Sequence, residues 1–177
     1  VERCRRRINA PMTSSLGRLF DGVAALIGLR QTVAFEGQAA MELEMMSGDE
    51  IRERYDFQWL PGETRVITLA PIIQGVVEDL RCGLPAFVIG RKFHNTVIEG
   101  CADLSAAIGK ACRIKKVVLS GGCFQNRLLL EGLIVALRQR GLEVFSHQVV
   151  PTNDGGISLG QAVIAGTIVT GRKSAVI

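Results

Sequence analysis

Twice in its second half the chain runs from a β-prone apolar stretch through a glycine-rich turn into a stretch with helical periodicity. The first pass is Lys116-Val117-Val118-Leu119-Ser120, then Gly121-Gly122, then a helix from Asn126 to Arg140 with Leu129, Leu133 and Leu137 on one face. Gly141 closes that helix. The second pass is a strand from Leu142 to Phe145, the turn Pro151-Thr152-Asn153-Asp154-Gly155-Gly156, and a final helix to about Thr170. Strand, glycine turn and helix, repeated in that order, predict an α/β unit with parallel strands that takes its ligands at the carboxyl ends of the strands. Both glycine turns then open on one edge, and Lys116 to Ser120 is expected to be a buried strand.

Upstream, Thr13-Ser14-Ser15 can cap a helix by accepting its orphan N–H groups. Apolar residues then follow at Leu16, Leu19, Phe20, Val23, Ala24 and Ile27 before Gly28. A second helix is expected from Gln38 to Met46. Asp49 to Glu63 is polar, holds Tyr55 and Trp59, and ends in Pro61-Gly62, which predicts an exposed excursion. Arg65 to Leu69 reads as a short strand, and Pro71 opens the next helix where its missing N–H costs nothing. Residues 85 to 112 read as mostly helical, with a break near Gly90. The sequence shows no internal repeat and no low-complexity tract.

With 177 residues, 47% of them hydrophobic, the chain is long enough to bury roughly 70% of its unfolded surface without disulfide or metal staples. The five cysteines, an odd number with no C-x-x-C pair, argue against a disulfide scaffold and a zinc ribbon. They predict free thiols in a reducing compartment, the cytoplasm. Charged or polar residues interrupt every apolar run before the roughly 18 residues of a membrane span, so no membrane partner is expected. The start Val1-Glu2-Arg3-Cys4-Arg5-Arg6-Arg7 has neither an initiator Met nor an apolar core, and is expected to be a cut end rather than a signal peptide. Its four arginines against one glutamate supply +3 of the net +4. Without interleaved aromatics this reads as a solvated terminus, and no nucleic-acid partner is inferred.

The chemistry-bearing residues gather around the turns. Gly121-Gly122 lets backbone approach a bulky ligand and exposes N–H groups at a helix start, as a nucleotide requires. It is neither a Walker loop nor a G-x-G-x-x-G fingerprint, and a ligand-free strand-to-helix turn needs the same glycines. Asn126 can bond a base or merely cap the helix. Asp154 can bind a metal or orient a phosphate, or serve as a turn residue or N-cap. The spacing of Gly156, Gly160 and Gln161-Ala162 predicts that the last helix packs closely on something. Phe35-Glu36-Gly37-Gln38 leads into a helix bearing Glu42 and Glu44, where a carboxylate can hold ribose hydroxyls or complement the helix dipole. His94 reads as a packing or hydrogen-bonding residue, Cys123 as packing, and His147 has no partner in view. Two histidines assemble no complete catalytic constellation, so the chain reads as part of a site.

Five motifs in order resemble one family. They are Thr13-Ser14-Ser15-Leu16-Gly17-Arg18-Leu19-Phe20-Asp21, Phe35-Glu36-Gly37-Gln38-Ala39-Ala40-Met41-Glu42-Leu43-Glu44, Phe93-His94-Asn95-Thr96, Ser120-Gly121-Gly122-Cys123-Phe124-Gln125-Asn126 and Asn153-Asp154-Gly155-Gly156. Together they resemble the C-terminal part of the hydrogenase-maturation carbamoyltransferases, the HypF family. A wider kinship to O-carbamoyltransferases and tRNA threonylcarbamoyl-transferases is implied. The resemblance implies a ribonuclease H-like lobe of the actin/sugar-kinase/Hsp70 nucleotide-binding fold, a mixed sheet flanked by helices, with residues 1–177 as the C-terminal lobe of a longer chain.

It implies further that the whole enzyme activates carbamoyl phosphate with ATP as carbamoyl-adenylate, in a separate upstream domain. The carbamoyl group then passes to the C-terminal cysteine of a HypE-type partner, on the way to the cyanide ligands of [NiFe]-hydrogenase. By position, Gly121, Gly122 and Asn126 match the nucleotide turn, Glu36, Gly37 and Glu42 match the segment near the ribose, and Asp154 matches a metal ligand. The ion, iron or another divalent, would be shared with a missing lobe carrying a His-x-x-x-His pair, so this chain alone is expected to be inactive. An O-carbamoyltransferase of small molecules and a non-catalytic nucleotide-binding or assembly lobe remain alternatives.

Overall fold

The computed structural model describes residues 2–6, 8, 10–48, 50–60, 62 and 64–171. The chain divides into two compact units, Val1–Phe93 and His94–Ile177. The division falls inside one long helix.

In the first unit α1 spans Glu2–Arg5 and α2 Leu16–Leu26. Ser15 caps α2 as its residue type predicts, its Oγ accepting from Arg18 N at 3.4 Å. Phe20, Val23 and Ala24 form the buried stripe, and Gly28 takes the left-handed conformation that ends the turn. α3 spans Gln38–Met46 and packs on α2 through the buried Ala39 and Leu43. β1 (Gln58–Leu60) and β2 (Val66–Thr68) pair antiparallel, with Trp59 opposite Ile67. α4 follows over Ala70–Arg81, with Pro71 in its first turn and Ile72 and Val76 buried.

The stretch expected to be an exposed excursion, 49–63, departs from that reading; Asp49, Pro61 and Glu63 lie outside the described residues. It contributes β1, and Tyr55 is buried at 5% exposure. The reason is a notch on the neighbouring helix. At Gly75 any Cβ would collide with the Tyr55 ring, so the glycine makes room for it. The Tyr55 hydroxyl donates to Asp79 Oδ2 at 2.8 Å, and Lys92 Nζ, 2.5 Å from the same oxygen, lies over the ring. Burial first, then the bond to Asp79 and its charge, push the phenol well above its usual range.

α5 runs unbroken over Ala86–Cys112, so the break expected near Gly90 does not occur. A Cβ at Gly90 would sit 2.8 Å from Ser47 Oγ and 3.1 Å from Leu43 Cδ1. Here the glycine serves close approach of α3 rather than interruption. Phe93 closes this core edge-on against Phe20, ring centres 4.9 Å apart.

In the second unit β3 (Lys116–Leu119) and β4 (Glu143–Ser146) pair in parallel, Lys116 opposite Glu143 and Leu119 opposite Ser146. A 3-10 turn over Gly122–Gln125 and α6 over Arg127–Gln139 connect them. A second 3-10 turn, Asp154–Gly156, then runs into α7, Ile157–Thr170. α6 buries Leu129, Leu133, Ala136 and Leu137, the spacing read from the sequence. Gly132 faces Ile98 of α5, where a Cβ would collide with the isoleucine. Arg140, ending α6, bonds Asp103 Oδ1 at 2.8 Å and Glu99 Oε2 at 2.6 Å, pinning the helix end to α5.

The parallel and antiparallel pairings lie in two separate two-stranded ladders among the described residues. β3 is not buried along its length as expected: Leu119 is 4% exposed but Val118 is 69% exposed. With one neighbour and one covered face, alternate side chains stay in solvent. α7 has no buried residue, and nothing lies within 4 Å of a Cβ placed at Gly160, so the close packing expected of it is not found within the described residues. No described helix is long and apolar enough to cross a membrane.

Candidate functional site

The parallel pair brings its two carboxyl ends together, and a glycine turn lies beyond each. Gly121 adopts φ 111° and ψ 159°, a region open essentially to glycine alone. Its N–H donates to Thr152 O at 2.9 Å and so ties the first turn to the second. Phe124 N to Gly121 O and Asn126 N to Cys123 O close the 3-10 turn. Gly122 differs from its neighbour: its backbone is unstrained and a Cβ there would meet nothing within 4 Å. Open space therefore faces the turn at the residue where backbone is barest.

Asn126 joins the 3-10 turn to α6. Its Oδ1 accepts from Leu129 N at 2.8 Å, the N-cap bond, and its Nδ2 lies 2.9 Å from Nε2 of His94. His94 is fully buried on α5. The capping reading of Asn126 is thus realised, and one of its Nδ2 hydrogens is left over by these two bonds.

In the second turn the cap is Asn153, not Asp154. Asn153 Oδ1 accepts from Gly155 N at 3.0 Å. Asp154 is exposed at the first position of the 3-10 turn, and its carboxylate makes no hydrogen bond or ion pair among the described residues. No group of three or more His, Cys, Asp and Glu side chains that could hold a metal occurs among the described residues. One carboxylate is too small a donor set for a metal site, so these residues supply at most one ligand.

For a nucleotide the residues fit better. Thr152 Oγ1, from the residue whose carbonyl meets Gly121, is buried without a hydrogen-bond partner among the described residues. A buried polar atom left so is costly unless something completes it. The same edge holds an exposed pair that sequence spacing did not reveal. Ser120 Oγ, after β3, lies 2.9 Å from Nε2 of His147, after β4, so His147 has a partner after all. Twenty-seven residues separate the two, and only the parallel register brings them together.

The remaining candidates belong to the first unit. Gly37 precedes α3 with φ 81°, the left-handed conformation. Glu36 is exposed beside it. Glu42 is held by Arg30, Nε to Oε2 at 2.8 Å and Nη2 to Oε1 at 2.5 Å, and by Gln38 Nε2 at 2.9 Å. Bonds from Arg30 and then Gln38 hold its carboxyl below the usual carboxylate range against the opposing pull of burial. The partner of Glu42 is a fixed arginine rather than a helix terminus. Arg30 lies outside every motif singled out in the sequence, and no local spacing pointed to it. Cys123 is a half-buried thiol in the 3-10 turn.

A family model described as "Carbamoyltransferase, Kae1-like Domain, second subdomain" matches residues 1–161. The chain belongs to this family. Carbamoyltransferase HypF of Rhizobium leguminosarum bv. viciae is 40% identical over 171 residues, which cover 94% of this chain and 21% of the relative. Carbamoyltransferase HypF of Synechocystis sp. is 39% identical over 158 residues, covering 88% and 20%. A crystal structure of full-length HypF in the phosphate- and nucleotide-bound form superposes with a TM-score of 0.88 at 50% identity, covering 94% of this chain and 22% of that one. The fold is therefore the Kae1-like, actin/sugar-kinase type. The chain spans about a fifth of the length of these two curated relatives.

Proposed function

We propose that residues 1–177 are the C-terminal, nucleotide-holding lobe of a carbamoyltransferase. The observation that carries this is the first glycine turn: Gly121 is in a glycine-only conformation, Gly122 faces open space, and the buried Thr152 Oγ1 beside them lacks a partner among the described residues. Exposed N–H groups at a helix start suit the negative charge of a nucleotide. A HypF solved with nucleotide and phosphate shares this fold, which supports the reading. Gly121, Gly122 and Asn126 would hold ATP or carbamoyl-adenylate. Glu36, Gly37 and Glu42 would serve the ribose, with Glu42 acting through whatever freedom its pairing with Arg30 leaves.

In the complete protein, water would release inorganic phosphate from carbamoyl phosphate, and a carbamate oxygen would then attack the α-phosphorus of ATP, breaking the α–β bridge and releasing pyrophosphate, to give carbamoyl-adenylate. The cysteine thiol of a HypE-type acceptor would then attack the carbamoyl carbon, AMP would leave with the electron pair of the broken C–O bond, and the thiol proton would pass to solvent. Asp154 would contribute one ligand to a metal, iron or another divalent, completed by the rest of the protein. The ion's chemistry, when bound, is to polarise an oxygen as a Lewis acid. Free thiols suit the cytoplasm.

The decisive test is Gly122→Val in the full-length protein. A Cβ at position 122 meets nothing within 4 Å and the backbone there has no positive φ, so the valine protein should fold while ATP binding disappears. Unchanged ATP affinity by calorimetry, in a variant with wild-type circular dichroism, would refute the assignment. A separate check concerns the metal: this chain alone should purify without stoichiometric metal by elemental analysis. Metal retained after dialysis would require ligands other than Asp154.

A further inference from the structure

The amide of Asn126 has only one orientation compatible with its surroundings. Its Oδ1 is committed to Leu129 N–H at 2.8 Å, so the group 2.9 Å from His94 Nε2 is the NH2 end, a donor. Nε2 must therefore accept, which makes His94 a neutral imidazole with its proton on Nδ1. An imidazolium would set N–H against NH2 at a site with 0% exposure, where no water relieves the conflict. Had the amide been flipped, helix cap and histidine would both meet the wrong atom. The backbone N–H sets which way the amide faces, and the histidine holds it there through one of its NH2 hydrogens.

Resting on the reading that this turn holds a nucleotide, we propose that His94 is a positioning residue for the ligand turn. Through Asn126 it holds in place the atom the turn offers: with the oxygen committed to Leu129 N–H and one hydrogen to His94, the second Nδ2 hydrogen, a donor, remains. The turn therefore selects a hydrogen-bond acceptor on the nucleotide, a phosphate or ribose oxygen or a ring nitrogen. His94 does this from α5, 32 residues before Asn126, and needs no contact with the ligand. Asn126 also begins α6, so a loosened amide loosens the residue that follows the Gly121-Gly122 turn.

The test uses the full-length protein and calorimetric affinities for ATP, adenosine and inorganic triphosphate. His94→Leu removes the acceptor and should weaken ATP binding about tenfold, the scale of one buried hydrogen bond. The matching loss should appear in whichever of adenosine or triphosphate contains the acceptor that Asn126 meets. His94→Gln places an amide oxygen near the position of Nε2 and should restore affinity to within about threefold of wild type, whereas the shorter His94→Asn should not. A merely structural histidine would make Gln and Asn equivalent, with losses that track melting temperature. That equivalence overturns the proposal even where His94→Leu fails to fold, as does a loss seen with neither adenosine nor triphosphate. Nitrogen-15 spectra of the imidazole should show Nε2 unprotonated; a protonated Nε2 also overturns it. Gly122→Val separates the two levels: if it abolishes ATP binding while His94→Leu does not weaken it, only the histidine's role falls. If Gly122→Val leaves ATP binding intact, the nucleotide turn itself falls.

Discussion

Both glycine turns contain Gly-Gly, yet the two pairs exist for different physical reasons. In the first, Gly121 is needed for its backbone angles and Gly122 leaves space unfilled. In the second, neither glycine has a positive φ, and both are crowded. A Cβ on Gly155 would lie 3.1 Å from Asn153 Oδ1 and from Pro151 Cγ, and one on Gly156 only 2.9 Å from the Pro151 carbonyl oxygen. The second turn is closed on itself by its own proline. Filled room marks packing, whereas open space leaves room for the nucleotide proposed above. The same dipeptide is therefore open at 121–122 and packed at 155–156.

The contrast is sharpest for valine at the two positions. Gly156→Val should destabilise the fold by about 3 kcal/mol, because backbone rather than a flexible side chain must give way. Gly122→Val should leave the denaturation midpoint nearly unchanged and abolish ATP binding, a loss of more than about 100-fold in affinity, or more than about 2.7 kcal/mol. Equal melting temperatures for the two variants would erase the distinction between the turns. Next in size is Gly121→Ala, which forces a Cβ into the glycine-only region at about 2 kcal/mol and should lower the melting temperature although nothing lies within 4 Å of the new methyl.

Asn153→Ala removes the second turn's cap and should cost about 1 kcal/mol in urea denaturation. The smallest effect on stability belongs to Asp154→Asn. With an exposed carboxylate that caps nothing, the change should stay within about 0.5 kcal/mol. In the complete enzyme it should nevertheless remove metal-dependent carbamoyl transfer. Full activity with unchanged metal content would return Asp154 to the status of a turn residue.

A second contrast separates two helices of the same unit. α6 shows apolar residues on one face and buries Leu129, Leu133, Ala136 and Leu137. α7, Ile157–Thr170, carries no charged residue, is apolar on every side and buries none of them. Amphipathic spacing tells a helix which side to cover, and α6 obeys it. A helix apolar all round carries no such instruction, and no α7 residue is buried among the described residues.

What local sequence determined here is whatever depends on neighbours in the chain. The cap at Ser15, the glycine after α2, the apolar stripes of α2 and α6, the two strand-turn-helix passes and the open Gly121-Gly122 turn all arise from residues within a few positions of one another, where backbone angles and helical spacing decide. What only the tertiary structure decided are pairings across long separations. Tyr55 enters the core because Gly75, on another element, leaves space for it. Gly90 reads as a break in the sequence and proves to be the contact point for α3. Glu42 meets Arg30, His147 meets Ser120 and His94 meets Asn126 only because packing and register bring them within bonding distance. A hydrogen bond depends on distance in space, and a chain fixes that distance only after its elements have packed.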